Sequence, residues 1–270
     1  MARHGDRRPP ALPPLDDVIR AHIQSVLEAC RGNRSNAARV LGVDRKTLAR
    51  QLVRLGIGET PESRTLRPGS LVAIEGIDGA GLTTQAHRLV EYLKTRGHRA
   101  LFTCEPSGGR VGTLIRELLL EPAALASTSA MRTYSLLFAA DRIDHIHREV
   151  APALAHGITV VSDRWYHSSL AYQRTGVDRD WIASMNQHTR TPDVTIVLDV
   201  PLDVAHQRRM LAGRPHEYFH APETQRDVVA GYRATISELR IAGERIEVID
   251  GTPNADLVFA AILRTLGIRR

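Results

Sequence analysis

The sequence has little cysteine and no long apolar run. Its two cysteines, Cys30 and Cys104, lie far apart and outside any metal-ligand spacing, so we interpret them as reduced thiols. No apolar stretch approaches the roughly 20 residues that cross a bilayer. The first 15 residues also lack the apolar segment of a secretory signal. These absences predict a cytoplasmic protein with no membrane partner.

The positive charge is concentrated in the first quarter of the chain. The whole sequence has 36 Lys and Arg against 30 Asp and Glu, which gives a net charge of +6. Residues 1–67 hold 13 of the basic and 7 of the acidic residues, so the rest of the chain is neutral. This asymmetry indicates a polyanionic partner for the N-terminal part. Within it, the prolines and arginines of residues 1–14 predict a disordered basic arm.

Composition separates an N-terminal helical part from a larger α/β part. Residues 56–70 are rich in Gly, Pro, Ser and Thr and lack periodicity, so we interpret residues 57–69 as a linker. After the linker, short apolar runs alternate with helical stretches, which is typical of a parallel sheet covered by helices on both faces. The apolar runs are residues 71–75, 100–103, 159–162, 195–200 and 245–250.

Apolar spacing within residues 15–56 predicts three helices. Ser35 is expected to cap the second helix, residues 36–41, and Asp44 to cap the third, residues 45–55. Two short helices joined by a tight turn that contains glycine form a helix-turn-helix. The side chains predicted to pack between these helices are Ala37, Ala38, Leu41, Val43, Leu48 and Leu52.

Residues 32–57 resemble the DNA-binding segment of the Fis family, through the pattern GN…AA…LG…R.TL…L..LGI. The resemblance implies that the segment binds duplex DNA, as a dimer on half-sites ~34 Å apart. The alternative is a small helical subdomain whose basic face is only solvated. The residues that the resemblance implies at the DNA are Asn33, Ser35, Arg45, Lys46, Thr47, Arg50 and Gln51.

Residues 76–83 indicate a phosphate-binding loop, because they match G-x-x-x-x-G-K-[ST] everywhere but at the lysine. The glycines allow backbone N–H groups to surround phosphate oxygens, and the following helix adds its positive end. The residues predicted at the ATP phosphates in this segment are Gly76, Gly79, Gly81, Leu82, Thr83 and Thr84.

Leu82 replaces the lysine that neutralises charge during phosphoryl transfer. Losing this contact is expected to lower the rate about 10²- to 10⁴-fold. The chain has only two lysines, Lys46 and Lys94. Lys94 lies twelve residues further along the same helix, about 18 Å away, which is too far to substitute. An arginine of a mobile lid is the replacement that the sequence leaves open.

Five motifs in order resemble those of the thymidylate kinase family and cover residues 71–266. They include LFAADR at residues 137–142, SDR at 162–164 and SSLAYQ at 168–173. The resemblance implies a P-loop nucleoside monophosphate kinase fold over residues 70–270, joined to the small all-α helix-turn-helix domain. It also implies ATP with Mg²⁺, dTMP as acceptor, and a homodimer.

The resemblance assigns roles to the residues of these motifs. Phe138 would stack on thymine, although by itself it would be interpreted as an ordinary core aromatic. Arg142 would hydrogen-bond the base edge, while Arg164 and Asp78 would act in catalysis. The residues implied at dTMP are Glu105, Phe138, Arg142, Arg164, Ser169, Tyr172 and Gln173. Those implied at the metal are Asp78, Thr83 and Asp163.

The departures from the family pattern cluster on the catalytic side. Besides Leu82, Cys104 stands where an arginine precedes Glu-Pro, and residues 213–220 replace a D-R-F-E-like run of the lid. The cations left for the lid are Arg208, Arg209 and Arg214, of which Arg208 and Arg214 are predicted at the ATP phosphates.

Three interpretations are open at this point. The first is a DNA-binding regulator of the bacterial cytosol and nucleoid, whose kinase-derived domain binds thymidylate or ATP and rarely transfers phosphate. The second is a working dTMP kinase in which lid arginines compensate for Leu82 and the DNA-binding part is accessory. The third is a dimeric scaffold with a vestigial empty pocket. The first accounts together for the helix-turn-helix, the retained base site and the lost charges.

Overall fold

The structure, a computed structural model, describes residues 14–30, 33–55, 57, 66–121, 127–213 and 222–268. The chain divides into two compact units, Met1–Ser63 with Ile241–Gly243, and Arg64–Arg240 with Glu244–Arg270. The predicted basic arm and most of the predicted linker lie outside the described residues. The domain boundaries given above therefore stay predictions.

The first unit consists of three helices: α1 Leu15–Ala29, α2 Arg34–Val40 and α3 Arg45–Arg54. Asp44 caps α3 as predicted, since its carboxylate accepts the N–H and the hydroxyl of Thr47 at 2.9 and 2.7 Å. These bonds lower the pKa of the Asp44 carboxyl. The predicted cap of α2 was wrong. Asn33, not Ser35, accepts the N–H of Asn36, at 3.0 Å, because asparagine is a strong N-cap and comes earlier in the chain.

An apolar interior joins the three helices. Leu41 is half-buried at its edge, as expected. Val43, which was predicted to be inside, is 37% exposed, because it lies in the turn between α2 and α3 and not on a helix face. The small Ala37 and Ala38 are buried and allow α2 to lie close to its neighbours. The buried residues of this interior are Ile23, Ala37, Ala38, Leu48, Leu52 and Leu55.

A five-stranded parallel sheet forms the centre of the second unit and confirms the predicted α/β fold. The strand order is β2-β3-β1-β4-β5. Strands β1 and β3 are buried along their whole length, as expected for a parallel sheet with helices on both faces. The strands are β1 Leu71–Gly76, β2 Ala100–Cys104, β3 Thr159–Asp163, β4 Val194–Asp199 and β5 Ile246–Asp250.

Nine helices accompany this sheet within the described residues. A π-helical turn, Ile146–Val150, joins α6 to α7, and a 3-10 turn, Gln173–Thr175, follows α8. No helix in the described part of the chain is long and apolar enough to cross a membrane. The helices are α4 Leu82–Thr95, α5 Arg110–Leu119, α6 Thr128–His145, α7 Ala151–Ala155, α8 Tyr166–Tyr172, α9 Arg179–Met185, α10 Leu202–Leu211, α11 Pro222–Ile241 and α12 Ala255–Thr265.

The parallel order brings the sequence motifs together. Because all five strands run in the same direction, their carboxyl ends lie at one edge of the sheet. The phosphate loop follows β1, the Glu105 segment follows β2, and Arg164 follows β3. Three motifs that are far apart in sequence therefore converge on one site.

Candidate nucleotide-binding site

The phosphate loop folds tightly between β1 and α4. Gly76 and Gly79 have φ angles of 148° and 92°. A Cβ atom at Gly79 would lie 2.3 Å from the carbonyl oxygen of Ala205 in α10. One at Gly76 would lie 2.7 Å from the carbonyl oxygen of Leu198 in β4. Both positions exclude larger residues, because the opposing atoms belong to the backbone.

Leu82 packs into the protein interior. It is the first residue of α4, its exposed fraction is 5%, and it belongs to the main hydrophobic core. Its Cδ2 atom lies 3.3 Å from the point that a Cβ on Gly76 would occupy. The adjacent Thr84 is exposed. The first turn of α4 thus begins with an apolar side chain and two hydroxyl groups, Leu82, Thr83 and Thr84, none of which carries a positive charge.

Thr83 and Asp163 form an oxygen pair suited to a magnesium ion. The Thr83 hydroxyl donates to Asp163 Oδ2 at 2.5 Å, and hard cations such as Mg²⁺ prefer oxygen ligands of this kind. Asp78, the third predicted metal residue, pairs instead with Arg164. Among the described residues, no group of three or more His, Cys, Asp and Glu side chains could hold a metal. A Mg²⁺ ion here would therefore take most of its ligands from phosphate and water.

A cavity of about 90 Å³ opens beside the phosphate loop. All seven residues predicted at dTMP line it, and Asp78 reaches it from the phosphate loop. The half-buried ring of Phe138 is part of its wall. Four lining residues were not predicted as ligands, namely Pro106, Leu119, Trp165 and Ser168.

Arg142 is buried in the cavity wall and held by three partners. Its Nε and Nη2 atoms both lie 2.7 Å from Glu105 Oε2, and Nη2 donates to Ser169 Oγ at 3.1 Å. Nη1 donates to the amide oxygen of Asn186, a residue that the sequence reasoning missed. Such charge-assisted bonds are strong and fix the guanidinium plane. The predicted bond from Arg142 to the thymine edge stays a prediction.

Helix α6 anchors the segment that follows β2. The buried Asp141 carboxylate accepts the N–H and the hydroxyl of Ser107, at 2.7 and 2.6 Å. His145 Nε2 lies 2.7 Å from the Thr103 hydroxyl, in hydrogen-bonding distance. The LFAADRxxH motif therefore positions Glu105 as well as lining the cavity.

Arg164 and Asp78 meet where the phosphate loop borders the cavity. Arg164 Nη2 donates to Asp78 Oδ1 at 2.6 Å, and Nη1 donates to the carbonyl oxygen of Gly76 at 3.0 Å. Tyr172 donates its hydroxyl to Asp78 Oδ2 at 3.0 Å, and burial raises the pKa of that hydroxyl, which keeps it a donor. Arg164 has a φ of 73°, uncommon for a residue with a side chain. The two residues predicted to be catalytic are thus brought together.

Glu75 is a buried acid that the sequence reasoning missed. Its Oε1 accepts the backbone N–H groups of Trp165 and Ser168, at 2.7 and 3.2 Å. Its Oε2 accepts the hydroxyls of Ser168 and Tyr232, at 2.7 and 2.8 Å. Glu75 therefore caps the start of α8 and fixes the turn that carries Arg164. The available signal was an acid inside an otherwise apolar strand.

Arg208 and Arg209 are neighbours in α10 but contact different parts of the site. Arg208 donates to the carbonyl oxygen of Gly251, at 2.9 Å, in the loop after β5. Arg209 donates to the carbonyl oxygen of Asp78, at 3.1 Å, in the phosphate loop. The structure thus brings Arg209, and not the predicted Arg208, to the phosphate loop. Arg214, also predicted there, lies outside the described residues.

In the helical unit, the predicted DNA-binding residues occupy α2, its cap and α3. Arg45, Lys46 and Arg50 are exposed, and Gln51 is half-buried. The Thr47 hydroxyl donates to its cap residue. The side chains of Arg45, Lys46 and Arg50 therefore lie on the outer face of α3, opposite the apolar interior.

In comparisons with known proteins, each of the two units matches a protein family. Residues 74–262 match the family described as thymidylate kinase. The chain belongs to the thymidylate kinase family. Residues 14–55 match the family described as bacterial regulatory protein, Fis family. Both resemblances noted in the sequence are thereby confirmed.

Individual thymidylate kinases align with most of the second unit. The chain is 39% identical to the probable thymidylate kinase of Pyrococcus horikoshii over 166 residues, which cover 61% of this chain and 81% of that protein. It is 36% identical to the probable thymidylate kinase of Thermococcus gammatolerans over 192 residues, 67% of this chain and 91% of that protein. It is 40% identical to the thymidylate kinase of Desulfosudis oleivorans over 142 residues, which cover 51% of this chain and 65% of that protein.

Two buried tyrosines provide a test of the Glu75 network. Tyr232→Phe removes a hydroxyl that bonds Glu75 and lies 2.9 Å from the Ser168 hydroxyl. We expect the free energy of unfolding to fall by about 1–3 kcal/mol, because a bond to a buried carboxylate is lost. Tyr134→Phe is the matched control, since its buried hydroxyl has no hydrogen-bond partner in the described structure. Denaturant titration of both variants is the measurement, and equal losses would contradict the proposed role of the network.

Proposed function

We propose that this chain is a DNA-binding regulatory protein built on a thymidylate kinase domain that binds nucleotide and transfers phosphate slowly or not at all. The observation that carries the proposal is the position of Leu82. It is buried in the core where the phosphate loop of this family requires a lysine, whereas the acceptor cavity keeps its predicted lining.

The site lacks positive charge at two positions where the family pattern has a cation. Leu82 supplies none, and neither does Cys104, where the family pattern has an arginine. Burial raises the pKa of the Cys104 thiol, which keeps it neutral. Arg116 approaches this thiol to 3.8 Å but donates to the Ser107 carbonyl oxygen at 2.7 Å. Because developing phosphoryl charge is stabilised by fixed cations, this loss lowers the rate of transfer.

The acceptor side favours binding of thymidylate. Phe138 offers an aromatic face to the base, and Arg164 a guanidinium fork to the phosphate. Arg164 would exchange its bond to Asp78 for the acceptor phosphate. Mg²⁺ bound with ATP would be held by Thr83 and Asp163 and would neutralise phosphate charge. These residues bind and orient nucleotides without the missing lysine.

The helical unit supplies the DNA-binding part of the proposal. The whole net charge of +6 falls within residues 1–67, and a basic surface of this kind attracts duplex DNA. The Fis-type match supports major-groove binding through α3. A DNA partner implies the cytosol and nucleoid as the location.

We also propose a homodimer, which a single weak DNA-binding unit needs for two half-sites. Helix α6 exposes an apolar stripe at helical spacing, formed by Leu136, Ala140 and Ile143. Leu136 and Ile143 have exposed fractions of 53% and 54%, which favours association through this face.

The second candidate is an active dTMP kinase, which converts ATP and dTMP to ADP and dTDP. The contact of Arg209 with the phosphate loop favours it, because it brings a cation to the loop from which the lysine is missing. The curated relatives are themselves named thymidylate kinases or probable thymidylate kinases.

An assay of ADP formation with Mg·ATP and dTMP separates the two candidates. We expect turnover of the unaltered chain far below about 1 s⁻¹, the lower end of ordinary enzymes. Leu82→Lys is expected to raise turnover about 10²- to 10⁴-fold by restoring the missing charge. Leu82→Met, which keeps an apolar side chain of similar volume, should leave it unchanged. Turnover of the unaltered chain at 1 s⁻¹ or more would establish the kinase instead.

DNA binding is tested with Arg50→Ala in the full chain. Loss of one exposed arginine from α3 should weaken binding to duplex DNA about 5- to 100-fold. Arg264→Ala is the matched control, because Arg264 is exposed in the last turn of α12 and its loss removes the same charge. Fluorescence anisotropy at several salt concentrations is the measurement. Affinity that does not fall with salt would rule out the proposed DNA surface.

The regulatory part of the proposal requires coupling between nucleotide and DNA. We expect saturating dTMP or ATP to change the DNA affinity about 5- to 150-fold, and DNA to change the nucleotide affinity by the same factor. Two titrations, one of each ligand in the presence of the other, measure both factors. Equal DNA affinities with and without nucleotide would refute regulation by this site.

A further inference from the structure

Asn186 closes the end of α9, behind the wall of the acceptor cavity. Its backbone N–H donates to the carbonyl oxygen of Ala183 at 3.1 Å, and its side-chain Nδ2 donates to the carbonyl oxygen of Ile182 at 2.8 Å. The side chain thereby satisfies one of the carbonyl groups that the end of a helix leaves without an intrahelical partner. Asn186 is buried, and it is not among the described residues that line the cavity.

Two contacts of the Asn186 side chain fix the orientation of its amide. A backbone carbonyl oxygen such as that of Ile182 only accepts hydrogen bonds, so it faces the NH₂ group. A guanidinium only donates, so Nη1 of Arg142 faces the amide oxygen. Reversal of the amide would oppose donor to donor and acceptor to acceptor. Asn186 therefore holds a fixed acceptor against Arg142.

This acceptor sets how the guanidinium of Arg142 meets the cavity. Nε donates to Glu105 and Nη2 to Ser169, so these two atoms are directed at the protein. Nη1 carries two N–H groups, and among the described contacts it has one acceptor, Asn186. Arg142 itself lines the cavity, which leaves the second N–H of Nη1 for a ligand.

The neutrality of Asn186 is the second part of the arrangement. Arg142 and Glu105 form an ion pair whose side chains are 1% and 3% exposed, so their charges balance inside the protein. An aspartate at position 186 would have the same shape and add a negative charge. Its two oxygens would attract both N–H groups of Nη1, because charge-assisted bonds are strong. The amide instead takes one N–H and leaves the other.

We propose that Asn186 is a positioning residue for base selection, which directs the second N–H of Arg142 Nη1 toward a carbonyl oxygen on the edge of a pyrimidine base. The inference rests on the nucleotide site proposed above. Thymine and uracil carry a carbonyl oxygen at the position where cytosine carries an amino group. An amino group opposite a guanidinium leaves donors unpaired on both sides, and such a mismatch produces specificity.

Binding of dTMP, dUMP and dCMP to the full chain, measured by calorimetric titration, tests the role of Asn186. Asn186→Ala should weaken dTMP and dUMP about 10- to 100-fold, the contribution of a hydrogen bond to a charged group, and change dCMP little. The preference for dTMP over dCMP should fall by the same factor, while the ratio of dTMP to dUMP affinity stays constant because both bases share this edge. Asn186→Asp should also lower the preference over dCMP, because its carboxylate occupies both N–H groups.

Ser184→Ala is the matched control within α9. It removes a side-chain bond to a helix carbonyl, from Ser184 Oγ to the oxygen of Trp181 at 2.7 Å, at an exposed position. The preference for dTMP over dCMP should not change in this variant. Denaturant titration of all three variants shows whether each is folded under the conditions of the binding experiment.

The possible outcomes separate the role of Asn186 from the proposed function. Equal losses of dTMP and dCMP affinity in Asn186→Ala would show that Asn186 only supports the fold, and would leave the proposed function standing. Equal affinities of the unaltered chain for dTMP and dCMP would also overturn its role in selection. No binding of dTMP or dUMP by the unaltered chain would overturn the acceptor site and the role of Asn186 together. Failure of DNA binding affects only the proposed function.

Discussion

The buried carboxylate of Glu75 joins the strand that leads into the phosphate loop to the turn that leads into the acceptor cavity. It accepts two backbone N–H groups and two hydroxyls, which together offset the cost of burying its charge. The left-handed backbone of Arg164 lies next to this cap, and such a conformation persists only where the surroundings fix it. The ion pair between Arg164 and Asp78 depends on that fixed geometry. Donor and acceptor sides thus share one rigid support.

Sequence reasoning predicted the sheet, the phosphate loop and a set of residues that line one cavity, because each is specified locally. Buried parallel strands appear in the sequence as apolar runs. Two glycines of the loop, Gly79 and Gly76, cannot be replaced without meeting the backbone of α10 and β4 respectively. Every residue predicted at dTMP lines the cavity. The motifs carried this information because each one lies at the carboxyl end of a strand or on a helix beside it.

The errors and omissions concern long-range contacts and local competition. Asn186 and Tyr232 belong to no motif, and they reach Arg142 and Glu75 from 44 and 157 residues away in sequence. Arg208 and Arg209 are adjacent in sequence, so only the rotation of α10 decides which of them reaches the phosphate loop. Asn33 displaced Ser35 as the cap of α2 because both are good caps and the earlier residue starts the helix. Spacing alone cannot resolve such choices.

The position of Leu82 separates binding from transfer on physical grounds. In the proposed function, backbone N–H groups, Thr83 and the acceptor cavity would interact with the ground state of bound nucleotides, and none of them requires the lysine. The lysine contributes most in the transition state, in which phosphoryl charge is redistributed. Only interactions that are stronger in the transition state than in the ground state accelerate the reaction. In the proposed function, a buried leucine would therefore lower the rate of transfer more than the affinity for nucleotide. A domain that retained its ligand without consuming it would be suited to report the concentration of that ligand to a DNA-binding unit in the same chain.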